Sequence, residues 1–283
     1  MSPLPFVEHL PDDPAAARRA LYRGAVAHLG PTPASLEVVT DALAVLREEL
    51  GFDTVRAAHD LLDGAEAFRR LGRVRKRLYL EPRFHEALAR VVGAAGFDPA
   101  EIAVDPMRLR VVAHGGGDDP RAAPVYYGHR DTWYAHPQAL ITWWIPLFDL
   151  PEEETFVFYP DAFARAVPND SEIFDYDAWV RDGWGLKIGW QDREAGRTAR
   201  YPAVIGAADQ GPAVGFSCRA GDNLLFSGAH FHRTRAHTAG RTRYSLDFRM
   251  VHLGDHAASL GAPNADNRSR GSCLGDYVRL APA

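Results

Sequence analysis

A histidine and an aspartate lie two positions apart within residues 128–133, GHRDTW, as His129 and Asp131. On an extended strand, residues i and i+2 project to the same side, so both side chains aim at one point while Arg130 faces away. An imidazole and a carboxylate, joined by a second histidine, form the facial site with open positions that non-heme iron uses for oxygen chemistry. The pair alone has low specificity, because a polar pair that binds no metal can have the same spacing.

A later segment, residues 219–252, carries candidates for the third ligand and for a basic partner of the site. Two histidines alternate on one stretch of it, and two arginines and a serine alternate on the next. Greek-key connections bring strands that are distant in sequence into register, so a histidine from this segment could complete the site. The candidates are His230, His232, Arg241, Arg243 and Ser245.

Hydrophobic periodicity divides the chain into a helical first part and a later part of short strands. Residues 32–51 carry leucines and valines at helical spacing and end at a glycine. Similar patterns predict a mainly helical layer over residues 1–100. Beyond it, apolar runs bounded by turn residues predict strands. These strands are 107–114, 139–149, 154–159, 213–218, 223–231 and 241–252.

Two segments have no clear strand alternation. Residues 160–210 are rich in aromatic side chains, and long aromatic insertions between strands are typical of lids or binding loops, since disordered linkers are poor in aromatics. The alternative is a structural excursion whose rings pack on the helical layer. Residues 253–283 are polar and rich in turn residues, and they are expected to form a tail over the core or a dimer contact.

Composition narrows the functional classes. The chain has 283 residues with a formal net charge of -5, which fits one domain and gives no electrostatic footprint for nucleic acid or an anionic membrane. Its two cysteines lack CxxC spacing, which disfavours a thiolate metal site or a disulfide framework. No signal-like leader or long apolar run is evident. We expect a cytoplasmic protein, a monomer or homodimer, with a small-molecule substrate and no nucleic-acid or membrane partner.

The chain resembles the Fe(II)/2-oxoglutarate-dependent dioxygenases of the phytanoyl-CoA hydroxylase-like group. The resemblance lies in His129-Arg130-Asp131, in ALITWWIPLFDLPEEETFVFYPDAF, in GDNLLFSGAHFH and in Arg243, and it spans residues 107–252. Two departures leave the substrate open. FYPDAF replaces the glycine–serine–histidine step of the group, and residues 160–210 are not placed by its pattern.

The resemblance implies a single α+β domain whose core is mainly β. Residues 107–252 would form a double-stranded β-helix, a jelly-roll or cupin-like barrel, below the helical N-terminal layer. In the group, the third metal ligand follows the last phenylalanine of the LLLF strand by six positions, which selects His232 after Phe226. The cofactors implied are Fe(II), 2-oxoglutarate and dioxygen.

The arginine of the group lies eleven positions after the distal histidine, which selects Arg243 for 2-oxoglutarate and leaves Arg241 for a rim salt bridge. Arginine suits a carboxylate because its planar fork donates two parallel hydrogen bonds and stays charged when buried. Ser245 follows on the same face as a further donor. By the same resemblance, Trp144 and Arg110 are expected beside 2-oxoglutarate.

The activity that the resemblance implies is oxidation of a small metabolite, with release of succinate and carbon dioxide. Hydroxylation is the default outcome, while cyclisation, desaturation and epimerisation stay open; the carboxylate of Asp131 argues against halogenation. A cupin-like metalloenzyme that does not use 2-oxoglutarate, and an inactive barrel that serves as a binding module, are the alternatives. Candidate substrate contacts are Tyr127, Trp133, His230 and Trp184.

Overall fold

The computed structural model describes residues 6–119, 122–183, 201–207 and 209–280. Helices dominate the first part of the chain and strands the second. In chain order the elements are β1 (Phe6–Val7), α1 (Pro14–Tyr22), β2 (Val26–Leu29), α2 (Pro33–Leu50), α3 (Ala58–Leu61), α4 (Gly64–Leu80), α5 (Pro82–Ala94), β3 (Ile102–Val112), β4 (Leu140–Pro146), β5 (Phe156–Phe158), α6 (Tyr176–Gly183), β6 (Asn223–Ser227), β7 (His232–Thr234), β8 (Arg243–His252), α7 (Leu253–Ala257) and β9 (Val278–Arg279).

Local sequence signals set both ends of α2, the longest helix of the described chain. At the start of α2, the Thr32 hydroxyl accepts a hydrogen bond from the Ser35 backbone nitrogen at 3.1 Å, and the Ser35 hydroxyl accepts one from the Thr32 nitrogen at 2.9 Å. The helix ends at Gly51, which adopts φ 79°, a left-handed conformation that costs glycine nothing. The apolar faces of α2, α4 and α5 pack on the sheet, where Trp143 stacks on Phe248 with 5.2 Å between ring centroids.

Seven strands form the major sheet, in the order β1-β2-β6-β4-β8-β3-β9. All neighbours pair antiparallel except β1 and β2. In the centre, Thr142 of β4 pairs with Arg249 of β8 on one side and with Phe226 of β6 on the other. This register decides which side chains share a face.

The two faces of the major sheet have different characters because side chains alternate along each strand. On β8, Tyr244, Leu246, Phe248 and Met250 belong to the core beneath the helices. Four of the five alternate residues of β8 are polar or charged and are also buried, and they lie on the opposite face together with Thr142 and Trp144 of β4. They are Arg243, Ser245, Asp247 and Arg249.

A two-stranded sheet of β5 and β7 packs against this polar face. The ring of Phe156 on β5 lies 5.3 Å from that of Trp144 and 6.0 Å from that of Phe226, measured between centroids. The described chain thus forms a mixed sheet layered between helices and a smaller sheet. The buried polar side chains of β8 face the space between the two sheets.

Some strand expectations need correction. Residues 213–218 form no strand; Val214 and Cys218 make only isolated bridges. The N-terminal layer is mainly helical, and in addition it contributes β1 and β2 to the edge of the major sheet. β3 begins at Ile102, earlier than the hydrophobic pattern indicates, because Asp105 and Arg108 flank a register shift that interrupts the alternation.

The expected lid and tail segments are described only in part. Within residues 160–210, α6 and short turns are described, whereas 184–200 and 208, and with them Trp184, lie outside the described residues. The tail contributes β9, which pairs with β3 at the edge of the major sheet, and its Cys273 nitrogen donates to the Ala135 carbonyl at 3.2 Å. None of the described helices has the length and apolar character needed to cross a membrane.

Candidate metal centre

His129, Asp131 and His232 converge, as their spacing and the resemblance predict. Their nearest ligand atoms all lie within 4.8 Å of one another, and no other such group is found among the described residues. His129 Nε2 is 3.7 Å from Asp131 Oδ1, and the two imidazole centroids are 4.4 Å apart. Two backbone hydrogen bonds of 3.0 Å, one in each direction, tie His129 to His232 and align their side chains.

Both histidines present the nitrogen that a metal needs. His129 Nδ1 lies 2.9 Å from the Tyr127 carbonyl oxygen, and His232 Nδ1 lies 3.0 Å from the His230 carbonyl oxygen. A carbonyl can only accept, so each Nδ1 carries a proton, and in the neutral form of each ring the lone pair is therefore on Nε2. Burial, together with repulsion from His129, lowers the pKa of His232 to about 4, which keeps this ligand neutral near pH 7.

Asp131 is held as a buried carboxylate, with 2% of its surface exposed. Its Oδ2 accepts a hydrogen bond from the Thr142 hydroxyl at 2.5 Å, and its Oδ1 lies 3.4 Å from Arg249 Nη2. Burial opposes ionisation, but the guanidinium of Arg249 and the neighbouring imidazoles outweigh it and hold the pKa of Asp131 well below its usual range. The carboxylate is therefore ready to bind a cation.

Arg243 is a buried guanidinium, 3% exposed, with no carboxylate within ion-pair distance in the described part of the chain. Its Nη1 donates a long hydrogen bond of 3.4 Å to the Glu154 carbonyl, and its Nε has no partner there. Burial and the nearby Arg110 lower the pKa of Arg243 to about 10. Because an uncompensated buried charge is costly, this position calls for an anionic ligand.

Trp144 and Ser245 complete the surroundings of Arg243. The guanidinium lies over the Trp144 ring, 6.0 Å from its centroid, and the indole Nε1 donates to Ser245 Oγ at 2.9 Å. Because the indole occupies a lone pair of that hydroxyl, the hydroxyl proton stays free for an acceptor. Arg241 instead pairs with the carboxylate of Glu154, which also binds Arg56, in agreement with a structural role at the rim.

Arg110 reaches the same face from β3, but it is already paired. Its Nε and Nη2 donate to Asp247 Oδ2 at 2.9 and 2.7 Å, and 45% of its side chain is exposed. It therefore lies at the entrance of the site, and a role in binding 2-oxoglutarate stays a prediction. Asp247, Arg249 and Thr142 were not singled out from the sequence, although period-two alternation from Arg243 and Trp144 would have placed them on this face.

The four candidate substrate contacts lie in different surroundings. Tyr127 is partly exposed beside His129 and stays a candidate. Trp133 is fully buried against Phe231, and its indole nitrogen donates a hydrogen bond to the carboxylate of Asp266. No face of its ring is therefore open to a substrate. His230 is 1% exposed and packs in a phenylalanine cluster. Trp184 lies outside the described residues.

His230 gives a test of stability against pH. Its ring lies 4.5 Å from the Phe163 ring, and burial, with its charged neighbours, lowers its pKa to about 3. An unfolded chain protonates histidine near pH 6.5, so the stability from this neutral ring is complete above that pH and is lost as the pH falls toward 3. We expect His230→Gln to reduce the pH dependence of the metal-free protein's unfolding free energy by about 1.4 kcal/mol per pH unit. Urea unfolding between about pH 6.5 and 4.5 measures it, and an unchanged slope would contradict the prediction.

Comparison with known proteins gives distant structural likeness only. No family model matches the chain. No curated protein matches it at a significant level. One similar solved structure is the non-heme alpha ketoglutarate dependent epimerase SnoN from nogalamycin biosynthesis, with 19% identity over 84% of each chain and a TM-score of 0.41. A second is the apo form of the non-heme monooxygenase ThoJ, with 13% identity over 87% of this chain and 86% of ThoJ and a TM-score of 0.42. A third is AviO1 from Streptomyces viridochromogenes Tue57, with 18% identity over 85% of this chain and 96% of AviO1 and a TM-score of 0.40. At these values, a function has to be argued from the residues of the site.

Proposed function

We propose that this protein is an Fe(II)/2-oxoglutarate-dependent oxygenase that hydroxylates a small molecule and releases succinate and carbon dioxide. The observation that carries the proposal is the combination of two features beside the polar face of the major sheet, which Asp131 contacts through Thr142 and Arg249. One is the convergent set His129, Asp131 and His232. The other is the buried guanidinium of Arg243, which lacks an anionic partner among the described residues.

The donor set fits a divalent iron. Two imidazole nitrogens and one carboxylate supply three ligands, and three protein ligands leave open positions. Arg243 is separated from His232 by aromatic rings. The His232 centroid is 5.7 Å from that of Phe156, which in turn lies 5.3 Å from Trp144, the ring under the guanidinium. A dicarboxylate that reaches from the ligands to Arg243 would lie along these rings.

The residues of the chain have distinct tasks in this proposal. Bound iron and 2-oxoglutarate would supply the activation of dioxygen that oxidises a C–H bond. Arg243 binds the far carboxylate of 2-oxoglutarate with a charge-assisted fork, and Ser245 donates its free hydroxyl proton to the same group. Arg249 and Thr142 hold Asp131 ionised and oriented. The rings of the aromatic cluster exclude water, which strengthens the electrostatic contacts inside. The cluster is Trp144, Phe156, Phe158, Phe216 and Phe226.

Succinate formation tests the proposed function. Purified protein supplied with Fe(II), 2-oxoglutarate and dioxygen is expected to release succinate even without its own substrate, by uncoupled turnover, and faster when a true substrate is present. Metal binding without succinate would instead favour a cupin-like metalloenzyme that does not use 2-oxoglutarate. If the protein bound neither the metal nor 2-oxoglutarate, a binding module would be the better assignment.

Ser245 offers a finer test of the 2-oxoglutarate position. In Ser245→Ala, the far carboxylate loses one donor and the buried indole nitrogen of Trp144 loses its acceptor. A lost hydrogen bond to a charged group costs about 1.5–3 kcal/mol, so the dissociation constant for 2-oxoglutarate should rise by roughly 10- to 100-fold. Isothermal titration with metal-loaded protein measures it, and the affinity for the metal should not change. An unaltered 2-oxoglutarate affinity would remove Ser245 from the site.

We also propose a single domain with a double-stranded β-helix core, since the minor sheet packs face to face with the major sheet through the aromatic cluster. In this proposal the described residues of the 160–210 insertion, 160–183 and 201–207, belong to a lid over the site, and the described residues 253–280 belong to the tail. Tyr127 and Arg110, at the entrance, are proposed to contact the substrate and 2-oxoglutarate. We also propose that the protein is a cytoplasmic monomer or homodimer and that it acts in a biosynthetic pathway.

A further inference from the structure

The residue between two of the metal ligands, Arg130, is a fully buried arginine with 1% of its surface exposed. Its Nε lies 2.9 and 3.0 Å from the two carboxylate oxygens of Asp266, a residue of the C-terminal tail. Within the described chain, its terminal nitrogens donate only to backbone carbonyls. The carbonyls belong to Ala162, Phe163, Arg165 and Ala229. Every nitrogen of the guanidinium therefore has a partner, and none of these partners is one of the three candidate metal ligands.

Asp266 is also buried, with 4% of its side chain exposed, and its carboxylate oxygens have several hydrogen-bond donors. Besides Arg130, its carboxylate accepts hydrogen bonds from Trp133 Nε1 at 2.7 Å and from the Val167 backbone nitrogen at 2.9 Å. The carboxylate of Asp266 thus joins residues 129–131, which we call the HRD segment, to the turn that follows them and to the loop around residue 167. We refer to the contact of Arg130 with Asp266 as the Arg130–Asp266 anchor.

The anchor constrains the ligands because the backbone of Arg130 is extended (φ -108°, ψ 142°) just before the short turn that begins at Asp131, and consecutive side chains of extended backbone alternate in direction. With Arg130 fixed on the far side, His129 and Asp131 must project toward the metal. Rotation of the segment would break several buried, charge-assisted hydrogen bonds at once, which is costly. On the near side, the backbone bridge of His129 to His232 fixes the same segment. The two restraints together leave the ligand pair one orientation.

We propose that Asp266 is a positioning residue of the metal site, which acts through Arg130 to hold His129 and Asp131 in ligand geometry. This inference rests on the proposed function, because it requires that the three residues bind a metal. It assigns to the C-terminal tail a part in metal affinity, although the tail supplies no ligand. Outer partners that orient metal ligands typically contribute roughly 10- to 100-fold to affinity.

The test is a Co(II) titration of the full chain, followed by the visible absorption of the bound ion. Asp266→Asn keeps the size of the side chain but removes its charge, and we expect the affinity for Co(II) to fall by about 10-fold or more, with an altered Co(II) spectrum. Arg130→Lys is the second variant. It keeps the charge opposite Asp266 but loses the fork that reaches the carbonyls, so it tests the same inference if Asp266→Asn does not fold.

Glu172→Gln is the matched control, because Glu172 forms an exposed ion pair with Arg268 of the same tail, at 2.8 Å, away from the HRD segment. It should bind Co(II) like the wild type. Circular dichroism and thermal melting identify the temperatures at which each variant is folded. An anchor variant that melts earlier yet binds Co(II) with unchanged affinity and spectrum would show a purely structural contact and overturn the inference. If the wild type itself bound no Co(II), the proposed function would fail first.

Discussion

Asp131→Ala is expected to abolish succinate formation and to weaken Fe(II) binding by at least about 100-fold, since even outer partners of metal ligands are worth roughly 10- to 100-fold. Asp131 is the only anionic ligand of the set, and it also balances Arg249 at 3.4 Å. The protein should still fold, because Arg249 keeps Asp105, whose Oδ2 lies 3.3 Å from its Nη1. Anaerobic Fe(II) titration and succinate quantification measure the two effects.

Two further variants make this result specific. Asp131→Asn keeps the shape of the side chain and an acceptor for Thr142 but removes the charge, so it too should bind Fe(II) poorly. Asp60→Ala removes an aspartate with 69% of its side chain exposed, and it should behave like the wild type in both assays. Wild-type succinate release by Asp131→Ala would show that the metal, if bound, lies elsewhere.

Arg243→Met is expected to raise the dissociation constant for 2-oxoglutarate by roughly 30-fold to several thousand-fold. Truncating one member of a buried, hydrogen-bonded charge pair costs about 2–5 kcal/mol, and each 1.4 kcal/mol is a factor of ten. Affinity for Fe(II) should not change, because Arg243 contacts none of the metal ligands. Titration of metal-loaded protein with 2-oxoglutarate measures the first effect, and titration with Fe(II) measures the second.

The same variant has a second, opposite consequence in the absence of 2-oxoglutarate. Methionine replaces a buried guanidinium that has no carboxylate partner in the described chain, so stability should be unchanged or rise by about 1 kcal/mol or more. Arg241→Met is the matched control, two residues earlier, because Arg241 pairs with Glu154 and should leave 2-oxoglutarate affinity unaltered. Unchanged 2-oxoglutarate affinity in Arg243→Met, or a loss in Arg241→Met alone, would contradict the assignment.

Much of the site could be predicted from the sequence, because local spacing decides which side of a strand a residue faces. The two-residue step from His129 to Asp131 fixes a shared direction, and the structure brings both together with His232. The same alternation separates Arg243 and Ser245 from the apolar residues of β8. The capping residues of α2 are equally local, since Thr32 and Ser35 bond to each other's backbone.

Contacts between distant segments were decided only by the tertiary structure. Nothing near Arg249 or Arg130 in the sequence indicates that one would bind Asp131 and the other Asp266, because these contacts depend on strand register and on the path of the tail. Likewise, the sequence made Trp133 a candidate substrate contact, but in the structure the packing around it buries the side chain completely. Spacing along the chain determines direction, but burial and charge pairing depend on which remote segments fill the surrounding space. For this protein the sequence determined which side chains are the candidate ligands, and the fold decided which residues hold them in place.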